Sequence, residues 1–305
     1  MKWFAIALLL TVAPLAPVST SAAEKPAETT PAAASASGEV QITPDVVYGH
    51  KDGMALTYDV LVPPKPNGAA IVWIQSGGWY SGWRSPENFK FAGKAYLDDG
   101  YALYIVRHGS SPKYHVVDAA GDVRRAIRHI RGDAKRFGVD PERIGVTGGS
   151  AGGHLSLMIA TTGDDGDPKN ADPVLRNSSR VAAAAVLYPP TDLRKWTTDP
   201  PAEIKKHAGL KPSLAFDSKL EPDVSPLLHV SDRTAPALLV HGDKDELVTL
   251  DHSEKFVAAM ETAGVPHRLI IIEGAAHGFT PEQNAQTIAP AMKEWFAKYL
   301  KVEKD

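Results

Sequence analysis

The chain has 305 residues, of which 43% are hydrophobic and 23% charged, with a formal net charge of −3 and no cysteine. This is the make-up of an ordinary globular protein, long enough for one large domain with a well-buried core. It excludes a disulfide framework, a zinc–thiolate site, a catalytic thiol and a lipid-modified N-terminal cysteine, and it gives no footing for a nucleic-acid partner.

Residues 1–23 read as a secretory signal peptide. Lys2 supplies a positive start, Trp3 to Leu10 an apolar stretch, and Ser21-Ala22-Ala23 a small-residue cleavage site. The apolar run is short for a membrane span, so no stable span is expected after cleavage. The mature protein is then expected to be exported, periplasmic or extracellular. Residues 24–40 are rich in Ala, Pro, Thr, Ser and Glu, the composition of an unpacked linker. A single catalytic domain is expected over residues 41–305.

That domain opens with strands near Val46-Val47-Tyr48 and over Leu56–Val62, the second alternating like a half-exposed antiparallel edge. Strands and helices then alternate. Ala69–Ile74 is a strand, Phe89–Asp98 a helix and Tyr101–Val106 a strand. Val117–Phe137 is a long amphipathic helix, with Arg124, Arg125, Arg128 and Arg131 on a solvated, ion-paired face. A strand ends at Thr147 and a helix follows Ser150. Val181–Leu187 is a strand, as is the run ending at Gly242. Asp251–Ala263 is a helix, Leu269–Ile272 a strand, and Gln283–Leu300 the closing helix. Alternation with short connections predicts an α/β fold, with a mostly parallel sheet covered by helices on both faces and ligands at the carboxyl ends of the strands. Residues 189–234 break the rhythm. They are proline-rich and polar, with short helical candidates around Ala202–Ala208, and read as a cap or lid insertion.

Chemistry is concentrated at four strand ends. Gly148-Gly149-Ser150-Ala151-Gly152 is a G-x-S-x-G turn between a strand and a helix, which presents a serine hydroxyl above the sheet. The pentapeptide alone arises by chance in roughly one chain in ten of this length, so it needs company. Leu238 to Val248 is a strand followed by two aspartates, Asp243 and Asp245. Either could accept the N–H of an imidazole on charge grounds, while Asp243 suits an ordinary turn role. Leu269 to Phe279 ends in small residues that carry His277 over the sheet. It follows the serine and the aspartates in the chain order Ser…Asp…His, in a loop at a strand end. His154 and His241 read as packing or hydrogen-bonding residues. Ile71 to Trp79 runs into Gly77-Gly78, whose amides are free of side-chain cover and able to meet a developing oxyanion.

Together these segments resemble the α/β-hydrolase superfamily, in its branch of bacterial feruloyl and acetyl-xylan esterase-like proteins and hormone-sensitive-lipase-like carboxylesterases. The resemblance covers roughly residues 46 to 300. It rests on Ser76-Gly77-Gly78-Trp79, Asp140-Pro141-Glu142-Arg143-Ile144, Gly148 to His154, His241-Gly242-Asp243-Lys244-Asp245, and Gly274-Ala275-Ala276-His277-Gly278-Phe279. It implies an α/β-hydrolase fold with Ser150 as nucleophile, Asp245 as orienting acid and His277 as general base. The oxyanion donors it implies are the amides of Gly77, Gly78 and Ala151. The implied reaction cleaves carboxylic esters, among them acetyl or feruloyl esters of polysaccharides, and uses no metal and no cofactor. One departure stands out: the family's His-Gly-Gly-Gly-Trp is here Gln75-Ser76-Gly77-Gly78-Trp79.

Trp79, Tyr80, Trp83 and Trp196 are the aromatic candidates for a substrate pocket. Three other readings share these residues: a prolyl-oligopeptidase-type peptidase, a non-catalytic glycan-binding protein on the same fold, and a metal hydrolase built from His241, Asp243 and His277. The sequence points to a small-molecule or polysaccharide ester as partner and fixes no oligomeric state.

Overall fold

The structure is a computed structural model and describes residues 38–301. The signal reading of residues 1–23 and most of the linker reading lie outside the described residues. Eight strands form one sheet: Gln41–Lys51 (β1), Met54–Val62 (β2), Ala70–Ile74 (β3), Ala102–Val106 (β4), Ile144–Gly149 (β5), Ala183–Leu187 (β6), Ala237–Gly242 (β7) and His267–Ile272 (β8). Their order across the sheet is β1-β2-β4-β3-β5-β6-β7-β8. β2 runs antiparallel to both β1 and β4, and every other pairing is parallel. This is the α/β-hydrolase fold.

Alternation along the strands explains the layering. In β3, Ala70, Val72 and Ile74 face one core while Ile71 faces the other. The first core is closed by Val116–Asp133 (α3), Ala151–Thr162 (α4) and Asp251–Thr262 (α6), through Ile127, Leu155, Phe256 and Met260 among others. The second is closed by Glu87–Ala92 (α1), Lys94–Asp98 (α2) and the C-terminal helix, through Phe89, Leu97, Trp295 and Phe296. Strands covered on both faces can be apolar throughout, as β4 is, with all five residues buried.

Three local expectations are corrected. The helix expected over Phe89–Asp98 breaks at Gly93, which lies so close to Leu103 that a Cβ there would stand 2.2 Å from its Cδ1. The long helix keeps α geometry only to Asp133 and finishes as a 3-10 turn over Ala134–Phe137. Its arginines are not a solvated face. Arg128 is buried, with its guanidinium on Asp164 at 2.6 Å, and Arg125 is half-buried beside β1 and Asp172. The loop over residues 163–180 folds back over this helix and covers the arginine stems, contacts that helical periodicity cannot report.

Between β6 and β7 the chain forms Ala202–Lys206 (α5) and five 3-10 turns between Ala208 and His229. Three of those turns begin at Pro212, Pro222 and Pro226, where proline presets φ and has no amide to leave unpaired. Trp196, Ile204, Leu214 and Val224 of this segment are buried in the first core. Ser213 ties it to the β3 loop by donating to the Gly78 carbonyl at 2.8 Å. After β8 comes the expected closing helix, unbroken from Pro281 to Tyr299: Pro281–Gln283 (α7) and Ala289–Tyr299 (α8) are joined by a π turn over Asn284–Ile288.

Candidate active site

Ser150 joins β5 to α4 with φ 53° and ψ −122°, a backbone that side-chain-bearing residues rarely adopt. The turn is tight because its neighbours lack side chains. A Cβ on Gly148 would meet Gly152 backbone at 2.5 Å, and one on Gly152 would meet the Ile74 carbonyl at 2.5 Å. The Ser150 amide donates to Leu187 at 2.9 Å, which pins the elbow to β6. The serine hydroxyl therefore stands above the carboxyl edge of the sheet, at the N-terminus of a helix buried along almost its whole length.

The loops after β7 and β8 bring two partners to it. His277 Nε2 lies 2.9 Å from Ser150 Oγ, and His277 Nδ1 lies 2.7 Å from Asp245 Oδ2. Asp245 can only accept, so the imidazole proton sits on Nδ1 and Nε2 offers its lone pair to the serine O–H. Asp245 is buried, and its other oxygen accepts the amides of Leu247 and Val248 at 3.0 and 2.9 Å. Burial works to raise its pKa. Hydrogen bonds from His241, His277 and the Val248 amide outweigh that and hold the carboxyl well below the usual carboxylate range. Asp243 instead accepts the Gly274 amide at 2.6 Å, closing the β7 loop onto the β8 loop.

The two remaining histidines of the motifs are fully buried. His241 takes the Ser253 hydroxyl on Nδ1 and donates from Nε2 to the Val248 carbonyl. His154 accepts the Trp79 indole N–H at 3.1 Å and donates to Val224 at 2.7 Å, and burial lowers its pKa to about 4. His241 and His277 both turn a ring nitrogen to Asp245 and Asp243 turns to Gly274, so the three do not converge on one point, and no metal-holding group forms among the described residues.

The glycine loop differs from expectation. Gly78 and Trp79 both have positive φ, 57° and 58°, and Gly77 and Tyr80 exchange two backbone hydrogen bonds of 3.0 Å. This is a two-residue hairpin turn, and it consumes the Gly77 amide. The Gly78 and Ala151 amides meet no acceptor among the described residues, so they remain as the free donors. The departure at Gln75-Ser76 is also explained. Gln75 donates to the Gly82 carbonyl at 2.5 Å, and Ser76 Oγ pairs with His108 Nε2 at 2.8 Å. The hairpin is braced by side chains from its own loop and from the end of β4.

A cavity of about 360 Å³ opens over Ser150. Of the aromatic candidates Trp79 and Trp196 line it, together with Tyr188, Ile204, Leu210, Leu247 and Val248, which sequence reading did not single out. Tyr188 carried the available signal, because it directly follows a strand at the edge where the other site residues sit. Tyr80 and Trp83 do not line this cavity. They are 58% and 66% exposed and face a separate cleft, because the hairpin turns the chain away immediately after Trp79.

The BD-FAE family model matches residues 58–260. Esterase LipQ of Mycobacterium tuberculosis is 26% identical over 232 residues, 73% of this chain and 53% of LipQ, so the chain spans about half the length of that relative. Thermogutta terrifontis esterase 2, solved phosphonylated by sarin, is 27% identical, with 88% of this chain and 98% of that one covered and a TM-score of 0.70. An acetyl ester-xyloside bifunctional hydrolase from Caldicellulosiruptor lactoaceticus is 25% identical, with 86% and 96% covered and a TM-score of 0.68. The match over well more than half of the chain, on an α/β-hydrolase sheet with this arrangement of strand-end side chains, makes the protein a member of the BD-FAE family.

Proposed function

We propose that this protein hydrolyses carboxylic esters through an acyl-enzyme on Ser150. The observation that carries the reading is the unbroken line Asp245–His277–Ser150, with hydrogen bonds of 2.7 and 2.9 Å, opening into an apolar cavity. In this reading His277 takes the serine proton as Oγ attacks the ester carbonyl. Asp245, held as a carboxylate, keeps the proton on Nδ1 and stabilises the imidazolium. The Gly78 and Ala151 amides receive the oxyanion. His277 then protonates the departing alcohol, and a water activated by the same imidazole releases the acid. The esterase names of the relatives support this class, and the phosphonylation of the Thermogutta terrifontis esterase by sarin is consistent with a reactive nucleophile in a related fold. Acetyl or feruloyl esters of polysaccharides are the substrates we favour, and the reading of residues 1–23 puts the enzyme outside the cytoplasm.

The test is turnover of p-nitrophenyl acetate, butyrate and octanoate by the wild type and by Ser150→Ala. Loss of about 10⁴-fold or more in kcat is expected in the variant. A Ser150→Ala protein that keeps its esterase activity would sink the assignment.

A further inference from the structure

On the far side of the Gly77–Tyr80 hairpin lies a second cleft of about 400 Å³. One wall continues the hairpin from Tyr80 to Trp83. The others are the first residues of β2, Met54 to Thr57, and the loop after β4 from Arg107 to Tyr114. β2 runs antiparallel to β4, so its start lies at the carboxyl edge of the sheet, beside the end of β4. The cleft and the catalytic cavity therefore share the hairpin as a partition. A hydrogen bond of 2.8 Å crosses it, from Ser76 on the cavity side to His108 on the cleft side.

Three features define what the cleft can hold. Trp83, Tyr80 and Met54 are 66%, 58% and 42% exposed, three of the eight large hydrophobic side chains left exposed among the described residues. Single exposed apolar residues are normal, but three lining one concavity offer apolar area to a ligand. Hydroxyls are interleaved with them. Ser81, Ser110 and Ser111 line the cleft; Ser81 donates to the Gln75 carbonyl and Ser110 accepts the Ser81 amide, while the Ser111 hydroxyl has no partner among the described residues. The cations are already neutralised: Arg107 pairs with Asp59 and Asp45, and Lys113 with Asp52. Flat apolar faces, a free hydroxyl at Ser111 beside two further hydroxyl oxygens able to accept, and no uncompensated charge complement a neutral sugar ring, which has apolar C–H faces and a rim of hydroxyls.

We propose that this cleft binds a neutral oligosaccharide, the alcohol part of the ester, with Trp83 and Tyr80 packing on its rings. The proposal rests on the ester-hydrolase reading above and divides the substrate between two chambers. The apolar cavity of Trp196, Ile204 and Leu210 takes the acyl group, and the hydroxyl-lined cleft takes the sugar. The ester bond then lies over the hairpin, where the Gly78 amide is free.

Direct titration tests the subsite apart from the chemistry. Xylotetraose is titrated into wild type, Ser150→Ala, Trp83→Ala and Trp83→Phe by calorimetry. Binding by wild type and Ser150→Ala, weakened about tenfold or more in Trp83→Ala and largely restored in Trp83→Phe, is the expected result. It would support the subsite even if no ester were turned over, in which case only the hydrolase reading fails. No binding by wild type, or equal binding by Trp83→Ala, overturns the subsite. Where esters are turned over, Trp83→Ala should lower the preference for acetylated xylotetraose over p-nitrophenyl acetate by about tenfold, through KM. Equal losses on both substrates would mean that Trp83 merely supports the hairpin, and would overturn the proposal.

Discussion

The ring of Tyr188 lies against the imidazole of His277, their centroids 4.6 Å apart, and it does so from a backbone with φ of 38°. That φ falls in the left-handed region, which costs a tyrosine on the order of 1 kcal/mol or more. The strain is held by the Tyr188 amide on the Val240 carbonyl at 2.8 Å and by Phe279 packing on the other part of the ring. Tyr188 is therefore a positioning residue for the imidazole. Tyr188→Phe should keep kcat within about threefold, while Tyr188→Gly, which tolerates the backbone but lacks the ring, should lose about tenfold or more. Equal rates for the two variants on p-nitrophenyl acetate would show that the ring does not set the imidazole.

The two aspartates of the β7 loop should behave very differently. Asp245→Asn leaves His277 with the wrong tautomer and should lower kcat by about 10⁴-fold. Asp243→Asn removes only the 2.6 Å tie to the Gly274 amide. It should cost ~1 kcal/mol of stability and leave kcat within about tenfold. Parallel rate and denaturation measurements separate these outcomes, and equal rate losses would count against the assignment of Asp245.

Acyl-chain length should be set by Ile204. A second pocket of about 350 Å³ adjoins the catalytic cavity inside the segment between β6 and β7, and Trp196 and Ile204 line both. Ile204→Ala should join the two spaces and raise the octanoate-to-acetate ratio of kcat/KM by about tenfold. Removing this buried side chain should also cost ~2 kcal/mol or more of stability. An unchanged chain-length profile would mean that the cavity ends elsewhere.

Acid should destabilise the fold through His154 and His252. Burial lowers both to about 4, and His252 also accepts the Thr191 amide on Nδ1 at 3.1 Å, which a protonated ring could not do. In the unfolded chain each titrates near ~6.5, so between pH ~6.5 and ~4 the unfolded state binds the extra protons. Their contribution is fully present above pH ~6.5 and is lost as the pH falls toward ~4. Denaturation free energies measured from about pH 7.5 to 4.5 should fall, with His154 and His252 supplying about two protons of the slope and His108 and His129, also lowered by burial, adding to it, and His252→Gln should remove about one proton. A flat profile in the wild type would contradict the buried, neutral state of both rings.

Much of the fold could be read locally. An alternating Leu56–Val62, apolar runs such as Tyr101–Val106, and short turns between strand and helix are properties of neighbouring residues. The chain order of Ser150, Asp245 and His277 is equally local, since each follows the end of an apolar run, and the structure joins the three side chains by hydrogen bonds. The interruptions inside elements were harder to read. At Gly93, where the helix breaks, Leu103 of another element lies too close for any Cβ, a contact that the helical pattern does not report.

Hydrophobic alternation and turn chemistry act over a few residues, so the amino-acid order alone dictates which residues end strands and which side chains and amides reach the carboxyl edge of the sheet. What each of them meets there is a matter of three-dimensional packing. Packing turns Asp243 to Gly274 and Asp245 to His277. It spends the Gly77 amide on Tyr80, sends Tyr80 and Trp83 to a different cleft from Trp79, and buries Arg128 against Asp164. These partners are brought together by the twist and order of eight strands and by one long excursion between β6 and β7. A side chain's hydrogen-bond partner depends on fractions of an ångström between segments distant in sequence, and no pattern within either segment carries that information.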